Sequence, residues 1–205
     1  MKLIALLLIT VLSSTVAQCQ SSAELMNIGN AHFLIGNYTL ALPYFTKATQ
    51  CITTSPKANY MTALCHYNLK NYTVANTYFT NELSIDSNCA QAYYFKSYIA
   101  NNNIDSALHY ISKAINLQPH KVAYLITKAD IYYNHKQYPQ AIIEYNNVLL
   151  INKKQDYALY KLGYCNYYVG NVIAACLHWS KISELDDFEN ETFITELINN
   201  TRNKK

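Results

Sequence analysis

The chain is 205 residues long, with 16 Lys and Arg against 13 Asp and Glu and a formal net charge of +3. Charged residues make up only 14%, and this near-neutral balance excludes the basic footprint that nucleic-acid binding requires. Tyrosine is the outlier at 20 residues, too many for all to be core, because each phenol oxygen needs a partner or water.

In chain order, the first expectation is an export signal over residues 1–17. Lys2 supplies the positive end, Leu3 to Leu12 the apolar run, and Thr15 and Ala17 the small residues a signal peptidase needs. The run is shorter than the roughly 20 apolar residues of a membrane-spanning helix. Cleavage after Ala17 leaves Gln18 first. Cys19 offers a rival, a lipid-tethered N-terminus, although Gln18 is a poor residue before a lipidated cysteine. No second segment of spanning length follows, so the expected product is an exported chain of the bacterial periplasm or envelope, or a secreted one.

From residue 22 onward the chain repeats. Gly36-Asn37-Tyr38-Thr39-Leu40-Ala41 returns as Lys70-Asn71-Tyr72-Thr73-Val74-Ala75, and more loosely around Ala107, Ala141 and Ala175. These alanines are spaced by 34, 32, 34 and 34 residues, a period that predicts stacked helix pairs. Units are expected at about 22–55, 56–88, 89–121, 122–155 and 156–187. Within each, apolar residues recur three or four apart, as in Leu159, Leu162 and Gly163, then after the Gly170-Asn171 turn in Ala175, Trp179 and Ile182. Short connections make the paired helices antiparallel. The third unit is two residues short near Asn101-Asn102-Asn103, which predicts a contracted first helix or turn. Over 188–205, Phe193, Ile194, Leu197 and Ile198 give one more amphipathic helix, expected to cap the stack, and then a polar tail.

The units resemble tetratricopeptide repeats, helix–turn–helix modules of about 34 residues. The resemblance rests on Leu25, Gly29, His32, Ala41, Phe45 and Ala48 in the first unit and on Ala63, Ala75 and Phe79 in the second, where Glu82 stands at a small-residue place. It continues through Ala107, Ile111, Ala114 and Pro119 in the third, Leu125, Ala129, Tyr132, Ala141, Tyr145 and Val148 in the fourth, and Leu159, Gly163, Asn166, Ala175 and Trp179 in the fifth. It implies an all-α right-handed solenoid that binds a protein or peptide along its first helices. By register, Asn30, Phe33, Tyr60, Tyr67, Tyr94 and Tyr98 would line that groove, followed by Asp130, Tyr133, Tyr157, Tyr160, Tyr164 and Tyr167. Tyrosine rows suit recognition by stacking and hydroxyl hydrogen bonds, or else half of these rings pack between repeats. Some family members grip a C-terminal carboxylate, but the equivalent places here hold Met26, Asn30, Met61, Gln91 and Phe95, and only Asn30 fits.

Nothing in the sequence reads as a catalytic constellation. There is no His-Glu-x-x-His, no phosphate loop and no nucleophile elbow, and Cys65 and His66 are helix neighbours that point apart. The six cysteines match no zinc spacing, so neither metal nor cofactor is expected. Cys165 and Cys176 lie at similar heights on paired helices, where they either bridge or serve as small buried apolar residues. The expected role is a non-enzymatic scaffold or adaptor. A sugar or small-ligand binder using the same groove, and an accessory subunit of an enzyme complex, stand as alternatives.

Overall fold

The repeated alanines and the period-3.6 stripes fold as read. The computed structural model describes residues 22–51, 57–182 and 190–202, and every regular element among them is helical. The expectations for residues 1–17, Cys19 and the tail at 203–205 lie outside the described residues. In chain order the helices are α1 (22–34), α2 (Tyr38–Thr49), α3 (Ala58–Asn68), α4 (Tyr72–Ile85), α5 (Ala90–Ile99), α6 (Ile104–Leu117), α7 (Val122–Asn134), α8 (Tyr138–Ile151), α9 (Asp156–Tyr168), α10 (Val172–Trp179) and α11 (Glu191–Arg202). None of the described helices is long and apolar enough to cross a membrane. The chain divides between Phe95 and Lys96 into two compact units.

The phase of the repeat is visible in what is buried. Ala41, Ala75, Ala107, Ala141 and Ala175 have no exposed surface, and the large residues four positions on, Phe45, Phe79, Ile111, Tyr145 and Trp179, are equally enclosed. In the first unit Ala41, Phe45 and Cys65 pack with Met26, Phe33 and Met61. In the second, Ala129, Ala141, Tyr145, Val148 and Leu162 tie α7, α8 and α9 together. A further cluster joins α9, α10 and α11 through Tyr160, Tyr164, Trp179, Ile194 and Ile198. The closing helix thus lays Ile194 and Ile198 on the last repeat, as an end-face cover must.

Four of the five intra-repeat turns share one construction. Gly36, Lys70, Lys136 and Gly170 all have positive φ, between 59° and 84°. Each donates its N–H three residues back, while the next residue donates five back, as in Gly170 to Tyr167 and Asn171 to Asn166. This is a Schellman closure, whose left-handed residue glycine fills without strain. A Cβ at Gly170 meets nothing within 4 Å, so the expected cost of Gly170→Ala is conformational alone, about 1 kcal/mol. A urea midpoint left unchanged by that substitution would contradict the reading.

The third turn departs, and the two-residue contraction lies there. α5 has only ten residues, and Asn103 precedes α6 in an extended conformation, its side chain accepting from the Ser106 N–H at 2.9 Å. An asparagine N-cap replaces the left-handed lysine or glycine. Ser97, fully buried, takes the small-residue place that Gly29, Ala63, Ala129 and Gly163 hold elsewhere.

Glu82 occupies a small-residue place as a buried acid, 4% exposed. It accepts from the Tyr60 N–H at 3.3 Å, in the first turn of α3, where helical N–H groups have no intrahelical partner and a carboxylate is favoured. Burial pushes its carboxyl above the usual range, against the opposing pull of that hydrogen bond. A carboxyl raised in the folded state loses stability as pH climbs from its unfolded to its folded value, because the unfolded chain ionises first. Glu82→Gln keeps an acceptor and is expected to flatten this decline, measured as urea midpoints across the weakly acid range.

Candidate functional site

The first-helix positions singled out in the sequence separate into distinct environments. In the first unit Asn30, Phe33, Tyr60, Tyr67 and Tyr94 are half-buried. Phe33 meets Tyr38 edge-on at 5.1 Å. Tyr60, Tyr67 and Tyr94 surround Phe95 at 6.4, 5.0 and 5.3 Å, and Phe95 in turn stacks on Phe79. These rings are largely occupied with one another.

In the second unit, α9 sends its tyrosines to opposite fates. Tyr160 and Tyr164 are only 8% and 9% exposed. They flank Gly163, where α9 comes closest to α10. Tyr164 meets Trp179 edge-on at 5.2 Å, and the Trp179 indole N–H donates to the Tyr160 carbonyl at 3.1 Å. The sequence placed both tyrosines in the groove, whereas the structure uses them to pack the last repeat against α10 and α11. Tyr167 is half-buried between Trp179 and Phe193.

The remaining positions form a polar cluster on α7 and α9, reaching the end of α5. Asp130 is its hub. Its Oδ1 accepts from the hydroxyl of Tyr145, which is fully enclosed, and from that of Tyr157 at 3.1 Å. Tyr98, 41% exposed, shares a hydroxyl–hydroxyl hydrogen bond with Thr127 at 3.1 Å, and Thr127 also donates to the Ala123 carbonyl. Lys161 lays its ammonium over the rings of Tyr133 at 4.4 Å and Tyr157 at 5.6 Å, within cation–π range. A cavity of about 50 Å³ opens between Tyr98, Thr127, Asp130 and Asn134.

Electrostatics follow from burial. Desolvation raises the Asp130 carboxyl above its usual value, opposed by the two hydroxyl donors and by Lys161. The Tyr133 and Tyr157 phenols are pushed well above the ordinary tyrosine range, first by burial. Both phenols are therefore neutral near neutral pH, and Tyr157 serves as a donor to Asp130.

Lys161 and Thr127 were missed by sequence reasoning. Lys161 stands one helical turn after Tyr157, and Thr127 one turn before Ile131 and three residues before Asp130, so the face could have been completed from spacing. Lys96 was missed too; it is 5% exposed, with its ammonium 5.0 Å from the centre of the Tyr110 ring.

Cys165 and Cys176 are both free thiols, which corrects the bridged alternative. They serve different cores. Cys165 packs with Tyr145 and Val148, whereas Cys176 turns to α11, its Sγ 3.3 Å from Thr201 Oγ1. Burial pushes the thiols of Cys65 and Cys165 up to about 12, the opposite of an activated nucleophile. His66 stacks on Tyr78 as His32 stacks on Tyr44, one repeat apart, and burial lowers its pKa. Among the described residues no group of three or more His, Cys, Asp or Glu is placed to hold a metal ion.

Residues 95–158 match the family model described as tetratricopeptide repeat. A TPR repeat-containing protein of Methanocaldococcus jannaschii is 32% identical over 117 residues, which are 56% of this chain and 19% of that protein. The chain thus spans about a fifth of the length of that relative. Among solved structures, MamA from Desulfovibrio magneticus RS-1 superposes with a TM-score of 0.74 at 19% identity, over 83% of this chain and 97% of that one. YrrB, described as a TPR protein with an unusual peptide-binding site, gives 0.67 at 17% identity, over 84% and 89%. Pseudomonas aeruginosa pilF gives 0.69 at 15% identity, over 82% and 78%. The fold is all-α and built of helical repeats, and these matches support the tetratricopeptide resemblance.

Proposed function

We propose that this chain is an exported, non-enzymatic member of the tetratricopeptide-repeat family that holds a segment of a partner protein on the α7–α9 face of its second unit. The observation that carries the reading is the cluster of Asp130, Tyr133, Tyr157 and Lys161. It is a polar, aromatic-rich patch that is half-buried without being sealed, fixed by hydrogen bonds and cation–π contacts. Such preorganised aromatic surface with few mobile side chains is what a protein interface uses for its anchors. The peptide-binding site ascribed to YrrB adds support from a chain of similar fold. A sugar platform is the weaker reading, because the Lys161 ammonium lies over the rings of Tyr133 and Tyr157 that a sugar would stack on.

The test is crosslinking and mass spectrometry in native extracts, with wild type beside a Tyr98→Ala, Tyr133→Ala double variant whose helicity is checked first. The expected result is a partner captured by wild type and lost by the folded variant. A partner retained by the variant moves the site off this face, and no partner above background overturns the scaffold reading.

Export has its own test. The purified native protein is expected to begin at Gln18, read by N-terminal mass. A chain beginning at Met1 contradicts export, and a lipid mass on Cys19 would replace free release by a tether.

A further inference from the structure

The hydrogen bonds to Asp130 are one-sided. Tyr145 and Tyr157 both donate to Oδ1, so no described residue donates to Oδ2. The carboxylate lines the 50 Å³ cavity together with Tyr98, Asn101, Thr127 and Asn134, all of which carry oxygen acceptors. We infer that this recess receives the ammonium group of a lysine side chain from a bound protein segment, which deepens the scaffold reading and rests on it.

Three observations converge on that occupant. The first is size: a cavity of about 50 Å³ admits a group or two of water dimensions, which fits an ammonium but neither a ring nor a helix. The second is charge. A carboxylate fixed by two hydroxyls and ringed by further oxygens repels anions and complements a cation with three N–H donors. The third is the behaviour of the chain's own lysine. Lys161 lies on the rings of Tyr133 and Tyr157 rather than on the carboxylate, so the face already holds one ammonium by its tyrosines and leaves Oδ2 open for a second. Burial adds to this, since a carboxyl whose ionised form is penalised regains charge stabilisation when a cation arrives.

The experiment is an amide NMR titration of the full chain with n-butylammonium, the lysine side chain in isolation, and with n-butanol, its uncharged counterpart. Asp130→Asn preserves an oxygen acceptor for both tyrosines, so the fold is maintained while the charge is removed. Tyr98→Phe is the second variant, altering the rim without touching the hub. Saturable shifts at the Thr127, Asp130 and Ile131 amides are expected with n-butylammonium, about ten-fold weaker in Asp130→Asn, weakened in Tyr98→Phe and absent with n-butanol. No saturation, an equal response in Asp130→Asn, or an equal response to n-butanol overturns the inference. The titration needs no partner, so the two readings fail separately. A partner captured by crosslinking without butylammonium binding sinks the recess alone, whereas butylammonium binding with no partner sinks the scaffold.

Discussion

Gly163→Ala is expected to destabilise the protein by about 3 kcal/mol, lowering both the urea midpoint and the melting temperature. Gly163 lies where α9 crosses α10, and a Cβ there would fall inside the Trp179 indole. Overpacking in a core costs about 1–3 kcal/mol, because neighbours are driven off their rotamers. Trp179 has nowhere to retreat. It is fully buried, edge-on to Tyr164, covered by Ile194 and Ile198 of α11, and its N–H donates to the Tyr160 carbonyl. Displacing the ring breaks that hydrogen bond as well, adding about 1 kcal/mol. The equivalent Gly29 stands against Phe45, where a Cβ would come within 2.6 Å of the ring. Gly29→Ala should therefore be costly too, though less so, because Phe45 has no polar bond to lose. The comparison separates close approach from backbone freedom: Gly170→Ala strains only the backbone and is expected to cost less than either.

Those crossings show which parts of the molecule were legible. The small residue in phase with a large one four positions on was readable in all five repeats, Ala107 with Ile111 as surely as Ala141 with Tyr145 and Ala175 with Trp179. What was not readable was the first helix of the third repeat, where the shortened turn shifts the phase and Ser97 is polar, so nothing in its type announces a buried crossing. The left-handed lysines at 70 and 136 were hidden for a related reason. Lysine carries no preference for that conformation, and only its equivalence to Gly36 and Gly170 reveals the turn. The candidate site was half legible. The register implied by the tetratricopeptide resemblance placed Asp130, Tyr133, Tyr157, Tyr160 and Tyr164 along the groove, but register alone does not set how wide the buried arc is. In the last repeat Trp179 and α11 widen it enough to enclose Tyr160 and Tyr164, whereas α7 and the start of α9 leave Tyr133 and Tyr157 partly open. The pairing of Asp130 with Tyr145 and Tyr157 joins three helices, which no single-helix pattern encodes.

That pairing yields the second large effect. Asp130→Ala is expected to cost about 2 kcal/mol, and Asp130→Asn much less. The difference lies in what happens to Tyr145, whose hydroxyl is enclosed and donates to Asp130. Alanine leaves that donor buried without an acceptor, whereas asparagine restores one. Tyr145→Phe in the Asp130→Ala background removes the orphan hydroxyl and is expected to recover part of the loss, a non-additivity that a double-mutant cycle reads directly. Equal losses from Ala and Asn would show that the carboxylate charge, which both remove, and not the acceptor for the hydroxyl, sets the cost. The pH dependence supplies an independent check. Burial raises the Asp130 carboxyl, so the unfolded chain releases its proton first, and the contribution of this group falls as pH rises from the unfolded value to the folded one. Both Asp130 variants lack the titrating group and are expected to lose that segment of the decline. Glu82→Gln should remove a different one, because Glu82 belongs to the other compact unit and shares no partner with Asp130. Comparison of wild type with Asp130→Asn and with Glu82→Gln across the weakly acid range therefore assigns the slope to each carboxyl in turn.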